Sequence, residues 1–184
     1  MKPRIIICGL GRTGYKIFVL LQKQGVAVVG VSDYPLPNSD YQQDIIIGDA
    51  RSRTTLKKAG IQSAQSLVLA GNDDAVNLAI LTQARLLNPE VRIVNRLYNH
   101  SLGQRLDQML PNHFSLSVSS LAAPIFAFAA MGNQAIGQLE LYNQTWPIRE
   151  EVINGDHPWL GAPLNELWEN RKQMLIHYLP RNGD

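Results

Sequence analysis

Short apolar runs alternate with amphipathic stretches along the first two thirds of the chain. The apolar runs cover residues 4–8, 26–32, 44–47, 66–70, 91–95 and 113–118. Few polar positions interrupt them, which is typical of parallel strands covered on both faces. The stretches after Arg12 and over 54–59, 73–87 and 101–110 have helical periodicity. Right-handed strand–helix–strand units of this kind predict an α/β fold, a Rossmann-like doubly wound parallel six-stranded sheet in the order 3-2-1-4-5-6.

The helix after Arg12 is predicted to bury one stripe of side chains against this sheet. The stripe consists of Ile17, Leu20, Leu21 and Gln24. A glycine follows at position 25, where a left-handed residue commonly ends a helix.

A nearly all-apolar stretch at 119–132 follows the predicted sheet. A helix of that composition needs a cover, and its small side chains allow another helix to approach closely. The cover could come from this same chain, but few residues remain to supply it. We therefore expect a partner subunit, which makes the protein a homodimer or a higher ring.

The pattern predicts two domains, at 3–132 and 133–184. The first is the Rossmann-like domain with the dimerisation helix 119–132, and the second is a small, partial α+β lobe. Within the lobe we expect a strand over 136–142, a short helix at 164–168 and a strand over 174–179.

Composition removes several classes of function. Hydrophobic residues make up 45% and charged residues 17% of the 184 residues, and the formal net charge is +2, values typical of a globular domain. Basic residues are spread along the chain, so we expect no nucleic-acid partner. No apolar run has the length of a membrane span, and the first strand directly follows the N-terminus without a signal peptide. The single cysteine, Cys8, is expected to be an inert core thiol, and a cytoplasmic location fits.

The turn after the first strand has the spacing Gly-x-Gly-x-x-Gly at Gly9, Gly11 and Gly14. In this pattern the first glycine allows a tight turn, the second lets the backbone approach a phosphate, and the third lets the helix pack on the strand. The helix that begins near Arg12 directs its free N–H groups and positive dipole end toward the anion. The turn therefore predicts a pyrophosphate site.

An acidic residue, Asp33, ends the second apolar run. Its carboxylate can accept hydrogen bonds from ribose hydroxyls, whereas a 2′-phosphate would be repelled. We therefore expect NAD(H), ATP, ADP or AMP rather than NADP. The alternative is that Asp33 caps the turn at 34–37.

Small or polar residues also follow three other predicted strands. They are Gly48, Asp49, Ala50, Gly71, Asn72 and Arg96. Ligands of doubly wound sheets bind outside the carboxyl ends of the strands. The sequence thus predicts one ligand site along this edge.

A dehydrogenase is the main alternative to a binding protein. Hydride transfer needs a substrate pocket and usually a proton donor, and the residues after the predicted sheet are too few for a substrate domain. The four histidines are isolated, and no cysteine–histidine cluster predicts zinc. Asp73 and Asp74 could form a paired-carboxylate site, although helix capping suits them better. We expect that the protein is not an enzyme, and a small NAD-dependent oxidoreductase is the alternative. We do not expect a DNA-binding regulator, because the sequence predicts no basic helical module.

The set of motifs is more specific than the glycine turn alone. It comprises 9–14, Asp33, Gly-Asp-Ala at 48–50 with Leu56 and 59–61, the strand 67–70, Asn-Asp-Asp at 72–74 with Asn77, Asn-Pro at 88–89, and Arg96. Over residues 3–132 the chain resembles the TrkA-N or RCK family, which comprises Trk-type uptake regulators and the domains that regulate the conductance of potassium channels. Dehydrogenases share only the first of these motifs.

The resemblance implies a nucleotide-sensing subunit that gates a membrane potassium channel or transporter pore from the cytoplasmic side. It implies NAD(H) or an adenine nucleotide such as ATP or ADP as the ligand. The residues it places at the phosphates are Gly9, Leu10, Gly11, Arg12, Thr13 and Gly14. It places Asp33 at the ribose, Asp49 and Ala50 at the adenine edge, and Gly71, Asn72 and Arg96 along the far half of the site.

Residues 156–184 resemble the opening of the family's C-terminal lobe. The sequence stops where further strands of that lobe are expected. We therefore expect a truncated TrkA-C-like tail, and we assign no second effector site to it.

Overall fold

A computed structural model of the protein describes residues 4–36, 40–132, 135–142, 144–163, 166 and 175–178. The chain divides into two compact units, Met1–Ala127 and Phe128–Asp184. This division falls inside the apolar helix that follows the sheet, and the domain limits 3–132 and 133–184 stay a prediction.

The first unit contains one parallel sheet. Its strands are β1 (Ile5–Cys8), β2 (Val28–Ser32), β3 (Ile45–Ile47), β4 (Ser66–Leu69), β5 (Arg92–Arg96) and β6 (His113–Leu116). They lie in the order β3-β2-β1-β4-β5-β6, and every neighbouring pair is parallel. The predicted fold class and strand order are confirmed.

Helices follow the strands, and those after β1, β3 and β4 cover two hydrophobic cores. They are α1 (Arg12–Lys23), α2 (Arg53–Lys58), α3 (Asp74–Leu87), α4 (His100–Met109) and α5 (Val118–Ala130). Successive residues of β1 alternate between the cores: Ile6 packs with Leu56 of α2 and Ile80 of α3, whereas Ile7 packs with Phe18 of α1. Because side chains of a strand alternate between its faces, the two cores lie on opposite sides of the sheet.

The buried stripe of α1 differs from the prediction. Phe18 is fully buried, whereas Leu20 is 57% exposed and Ile17 and Leu21 are only partly buried. Gly14 and Phe18 are the buried residues of this helix, one turn apart. The contact of Gly14 with the preceding turn therefore sets the rotation of α1, which apolar periodicity could not reveal. The predicted left-handed end is confirmed, since Gly25 has φ +71°.

Strand pairing sets the boundaries that the sequence predicted too long. β2 begins at Val28, not at residue 26, because Val28 is the partner of Ile5 at the start of β1. β6 ends at Leu116, the partner of Arg96 at the end of β5, so α5 begins at Val118.

The second unit contains an antiparallel pair, β7 (Gly137–Leu141) with β8 (Gln144–Ile148). β7 confirms the strand predicted over 136–142. β8 was not predicted because it contains Pro147, which argues against a strand unless the strand lies at an edge. The helix predicted at 164–168 lies outside the described residues except for Glu166. The strand predicted over 174–179 is wrong for its described part, because residues 175–178 form no strand.

Candidate functional site

The carboxyl ends of the strands are level, so the loops that follow them meet at one edge. Cys8 at the end of β1 is opposite Val31 in β2 and Leu69 in β4, and Leu69 is opposite Asn95 in β5. The predicted ligand residues all lie at or just beyond these ends: Gly9, Leu10, Gly11, Arg12, Thr13, Gly14, Asp33, Asp49, Ala50, Gly71, Asn72 and Arg96. We call this the strand-end cleft. The fold brings together a set that spans most of the sheet.

Two of the three glycines in the β1–α1 turn are required by the fold. Gly9 has φ +87°, and a Cβ there would lie 2.8 Å from the Gly71 nitrogen. A Cβ on Gly14 would lie 2.1 Å from the Gly9 carbonyl oxygen. Both contacts are to backbone, which cannot move aside as a flexible side chain can.

Gly11 has no comparable reason to be glycine. Its φ of −73° and ψ of −163° are accessible to ordinary residues. A Cβ there would meet no described atom within 4 Å. A side chain at position 11 would therefore project into open space at the N-terminus of α1.

The N-terminus of α1 is suited to an anion. Gly11 is its N-cap residue, so it receives no side-chain capping bond, and its first turn contains no acidic residue. The first N–H groups of a helix have no partner within the helix and carry its positive dipole end. Arg12, which is exposed, adds a positive charge at this position. These are the elements of a phosphate site.

Asp33 is exposed directly after β2, and Ser32 holds the turn there. The Ser32 hydroxyl donates to the Tyr34 carbonyl oxygen at 2.7 Å and accepts from the Tyr34 N–H at 3.3 Å. Among the described residues the Asp33 carboxylate makes no hydrogen bond, so it does not cap this turn. It is free to accept hydrogen bonds from a ligand.

Asp49, beyond β3, forms an ion pair that the sequence interpretation missed. Both of its carboxylate oxygens accept from the guanidinium of Arg51, at 2.9–3.1 Å. These hydrogen bonds hold the pKa of Asp49 below its usual range. The only signal in the sequence was the Asp-x-Arg spacing just after a strand.

The far half of the cleft is built on Asn77. Its Nδ2 donates to the carbonyl oxygens of Gly71, at 3.1 Å, and Arg96, at 2.8 Å. A Cβ on Gly71 would lie 2.6 Å from Asn77 Oδ1, so any larger residue at this loop would displace the buried Asn77 side chain. Asn77 is fully buried, so it ties the loop after β4 to the end of β5 from beneath.

Arg96 is oriented by contacts on both sides. Its Nη1 donates to the Ala70 carbonyl oxygen at 3.4 Å, and its Nη2 donates to the Tyr98 hydroxyl at 2.6 Å. The guanidinium carbon also lies 5.1 Å from the centre of the Tyr98 ring, within cation–π range. Tyr98 was not identified from the sequence.

Asp73 and Asp74 have separate structural roles. Asp73 caps α3 by accepting from the N–H groups of Ala75 and Val76, which confirms the capping interpretation. Asp74 accepts from the N–H groups of Tyr98 and Asn99, and so joins α3 to the loop before α4. The two carboxylates are therefore occupied by backbone donors.

Cys8 is buried at the end of β1. Burial, with a smaller contribution from the Asp33 charge, raises the pKa of its thiol to about 12. The thiol is therefore protonated at neutral pH and is a poor nucleophile, which confirms the expected core role.

His113 is not isolated, contrary to the sequence interpretation. Its Nδ1 lies 2.7 Å from Asp107 Oδ1, and its side chain is fully buried. A cavity of about 50 Å³ adjoins Asp107 between α4 and β6. This cavity is too small for a nucleotide, since ligand pockets are typically several hundred Å³.

The described residues contain neither a membrane-spanning helix nor a cluster of metal ligands. No helix there is long and apolar enough to cross a membrane. No group of three or more His, Cys, Asp or Glu side chains in the same part of the chain is placed to hold a metal ion.

Comparisons with known proteins bear on the N-terminal unit. The family model of the TrkA-N domain matches residues 5–113. Potassium channel protein 1 of Methanocaldococcus jannaschii is 38% identical over 94 residues, which are 48% of this chain and 28% of that protein. The chain thus spans less than a third of the length of that relative.

Two solved structures share the fold. The GsuK channel bound to NAD has a TM-score of 0.62 and 25% identity, over 71% of this chain and 23% of that chain. The Shewanella denitrificans Kef CTD in its AMP-bound form has a TM-score of 0.60 and 25% identity, over 71% of this chain and 82% of that chain.

Proposed function

We propose that this chain, which belongs to the TrkA-N domain family, is a nucleotide-sensing regulatory subunit of a potassium channel or transporter. It binds NAD(H), ATP or ADP in the strand-end cleft, and the nucleotide bound sets the state of the pore. The proposal is supported by the matched potassium channel and by the two similar structures that hold NAD and AMP. The protein acts by binding and catalyses no reaction of its own.

The observation that carries this proposal is the open space beside Gly11, where the fold itself does not require glycine. The fold itself explains glycine at positions 9 and 14, but a Cβ at position 11 would meet no described atom. A ligand phosphate close to the backbone gives position 11 a reason to lack a side chain. The uncapped first turn of α1 supplies N–H donors at the same place.

Each end of the cleft has a proposed role. The turn from Gly9 to Gly14, with Leu10, Arg12 and Thr13, binds the phosphates, and Asp33 binds the ribose. Asp49 and Ala50 lie at the adenine edge, and Gly71, Asn72 and Arg96 line the far half. The free carboxylate of Asp33 suits ribose hydroxyls and disfavours a 2′-phosphate, because two like charges would meet.

The assembly is a homodimer or a higher ring beneath a membrane pore partner. In the described part of α5 no residue is buried, although nearly all its side chains are apolar. An exposed apolar helix of this kind is typical of an interface. We place the protein in the cytoplasm, held at the inner face of the membrane by the pore subunit.

Calorimetry tests the ligand and the site together. Wild-type protein is titrated with NAD, NADH, ADP and ATP, and Gly11→Val is titrated under the same conditions. We expect micromolar affinity for the wild type and no measurable binding for Gly11→Val, with an unchanged circular dichroism spectrum. Wild-type protein that binds none of the four would overturn the proposal, and a Gly11→Val variant with full affinity would remove the turn from the site.

A second assay separates a regulator from an oxidoreductase. The protein is incubated with NADH and a panel of carbonyl substrates, and absorbance at the nicotinamide band is followed. We expect NADH to be bound but not consumed. Sustained turnover would contradict the regulatory assignment.

A further inference from the structure

The guanidinium of Arg51 is fixed in one plane by Asp49. Arg51 Nε donates to Asp49 Oδ1 at 3.0 Å, and Nη2 donates to Oδ2 at 2.9 Å. The backbone N–H of Arg51 donates to Oδ1 as well, at 2.8 Å. A two-point contact of this kind sets the orientation of a planar guanidinium, as one hydrogen bond would not. Arg51 is therefore preorganised before any ligand arrives.

The position of Arg51 is on the adenosine side of the cleft. A turn closed by the Ser52 N–H and the Asp49 carbonyl oxygen, at 3.0 Å, places Arg51 just beyond β3. The Gly48 N–H donates to the Ser32 carbonyl oxygen at 2.9 Å, so this turn starts beside Asp33. The charges of Asp33 and Asp73 also raise the pKa of Arg51, after the larger effect of Asp49.

The surroundings of Arg51 make it a poor phosphate ligand. Its guanidinium already donates hydrogen bonds to the Asp49 carboxylate, and the negative charges of Asp33 and Asp73 also act on it. The glycine turn that suits phosphate follows β1, and β2 lies between β1 and β3. What Arg51 still offers is its flat face, on a side chain that is 57% exposed. A guanidinium face stacks on aromatic rings, including nucleobases.

We propose that Arg51 stacks on the adenine ring of the bound nucleotide, and that Asp49 is a positioning residue that holds its plane. This inference rests on the proposed nucleotide site and adds to it the residue that favours a large, flat base. Asp49 then acts on the base mainly through Arg51, because both of its oxygens are already engaged by the guanidinium.

Calorimetry with two nucleoside diphosphates tests the stacking. ADP and UDP carry the same ribose and phosphates, but uracil offers less ring area. We expect Arg51→Ala to weaken ADP binding about tenfold or more and UDP binding clearly less. Arg51→Lys keeps the positive charge but lacks the planar guanidinium, so its ADP affinity should fall close to that of Arg51→Ala. The control is Arg53→Ala, another exposed arginine, whose Nε donates to Gln83 Oε1 at 2.8 Å; it should bind ADP as the wild type does.

The positioning role of Asp49 has its own readout. Asp49→Asn should weaken ADP binding in the wild-type background and have no further effect in Arg51→Ala, because the group it positions is then missing. Equal losses in both backgrounds would mean that Asp49 contacts the base directly and would overturn its positioning role.

The outcomes separate this inference from the proposed function. Wild-type protein that binds neither ADP nor NAD overturns the nucleotide site itself. Wild-type binding with an unaffected Arg51→Ala, an Arg51→Lys of full affinity, equal losses for ADP and UDP, or an equal loss in Arg53→Ala overturns the stacking alone.

Discussion

Asp33 shows how a single side chain can be left available by its neighbours. The Ser32 hydroxyl forms the local hydrogen bonds of the turn, so the Asp33 carboxylate has no described hydrogen-bond partner although it is exposed at the cleft. A carboxylate in that state suits ribose hydroxyls and disfavours a phosphate in the same place.

Replacement of Asp33 should change both affinity and selectivity. Asp33→Ala is expected to weaken NAD, NADH, ADP and ATP binding, because hydrogen bonds to a charged acceptor contribute roughly 1.5–3 kcal/mol, and to reduce the discrimination against NADP. Competition titrations with NAD and NADP measure the ratio. The control is Glu90→Ala. Glu90 is an exposed acid that precedes β5, so it lies near the amino-terminal ends of the strands and away from the strand-end cleft. An unchanged NAD to NADP ratio would contradict the ribose role of Asp33.

The Asp49–Arg51 pair should be visible in a titration of the side chains. Arg51 lowers the pKa of Asp49, so the pair contributes stability that is fully present above the ordinary carboxyl pKa and is lost as the pH falls through the lowered value. Carbon-13 NMR of the aspartate carboxyls should show Asp49 titrating below the usual range. In Arg51→Ala it should return to that range; a titration that does not move would show that the ion pair is absent in solution.

At the scale of elements, the β1–α1 junction separates structural glycine from ligand-related glycine. Gly14 packs on the Gly9 carbonyl and, with Phe18, sets the rotation of α1. A Cβ added at Gly11, three residues earlier, would meet no described atom within 4 Å. The same sequence motif thus contains glycines that lack a side chain for different physical reasons.

Two alanine variants should differ in stability for this reason. Gly14→Ala would place its Cβ 2.1 Å from a backbone oxygen, and we expect it to lower the free energy of unfolding by about 1–3 kcal/mol or more. Gly11→Ala adopts an allowed conformation in open space, so the gain from a less flexible unfolded chain opposes the poorer N-cap preference of alanine, and its free energy of unfolding should change by less than about 1 kcal/mol. Urea unfolding measures both, and equal destabilisation would mean that Gly11 also has a packing role.

At the scale of the whole molecule, we expect α5 to form the interface with a partner subunit. Leu121 is 50% exposed, Phe126 is 75% exposed, and Met131 just after the helix is 67% exposed. Exposed apolar side chains of this size contact water, and association would remove that contact with a gain of about 25 cal/mol per Å² of apolar area.

Light scattering at tens of micromolar tests the assembly. Wild-type protein should have at least the mass of a dimer, and Phe126→Asp should shift it toward the monomer because burial of an unpaired charge is costly. Val152→Asp serves as the control, since Val152 is 74% exposed in the second unit. A wild-type monomer at this concentration would contradict the dimerisation proposal.

The elements were predictable from sequence where one local pattern decided them. Continuous apolar strands and the glycine turn determined the class of sheet, its order and the edge where polar residues gather, because these depend on residue spacing along the chain. Strand β8 was missed because Pro147 argues against a strand in general, and only its place in a two-stranded pair makes it acceptable.

The sequence by itself determined a parallel sheet with a phosphate-type turn and an acid at one edge, since backbone conformation and strand periodicity are set locally. Only the tertiary structure decided how the edge is held. Asn77 bonds to Arg96, 19 residues away, and Asp74 bonds to Tyr98, 24 residues away. Such contacts follow from strand register and helix rotation, which fix distances between remote residues and leave no periodic trace in the chain.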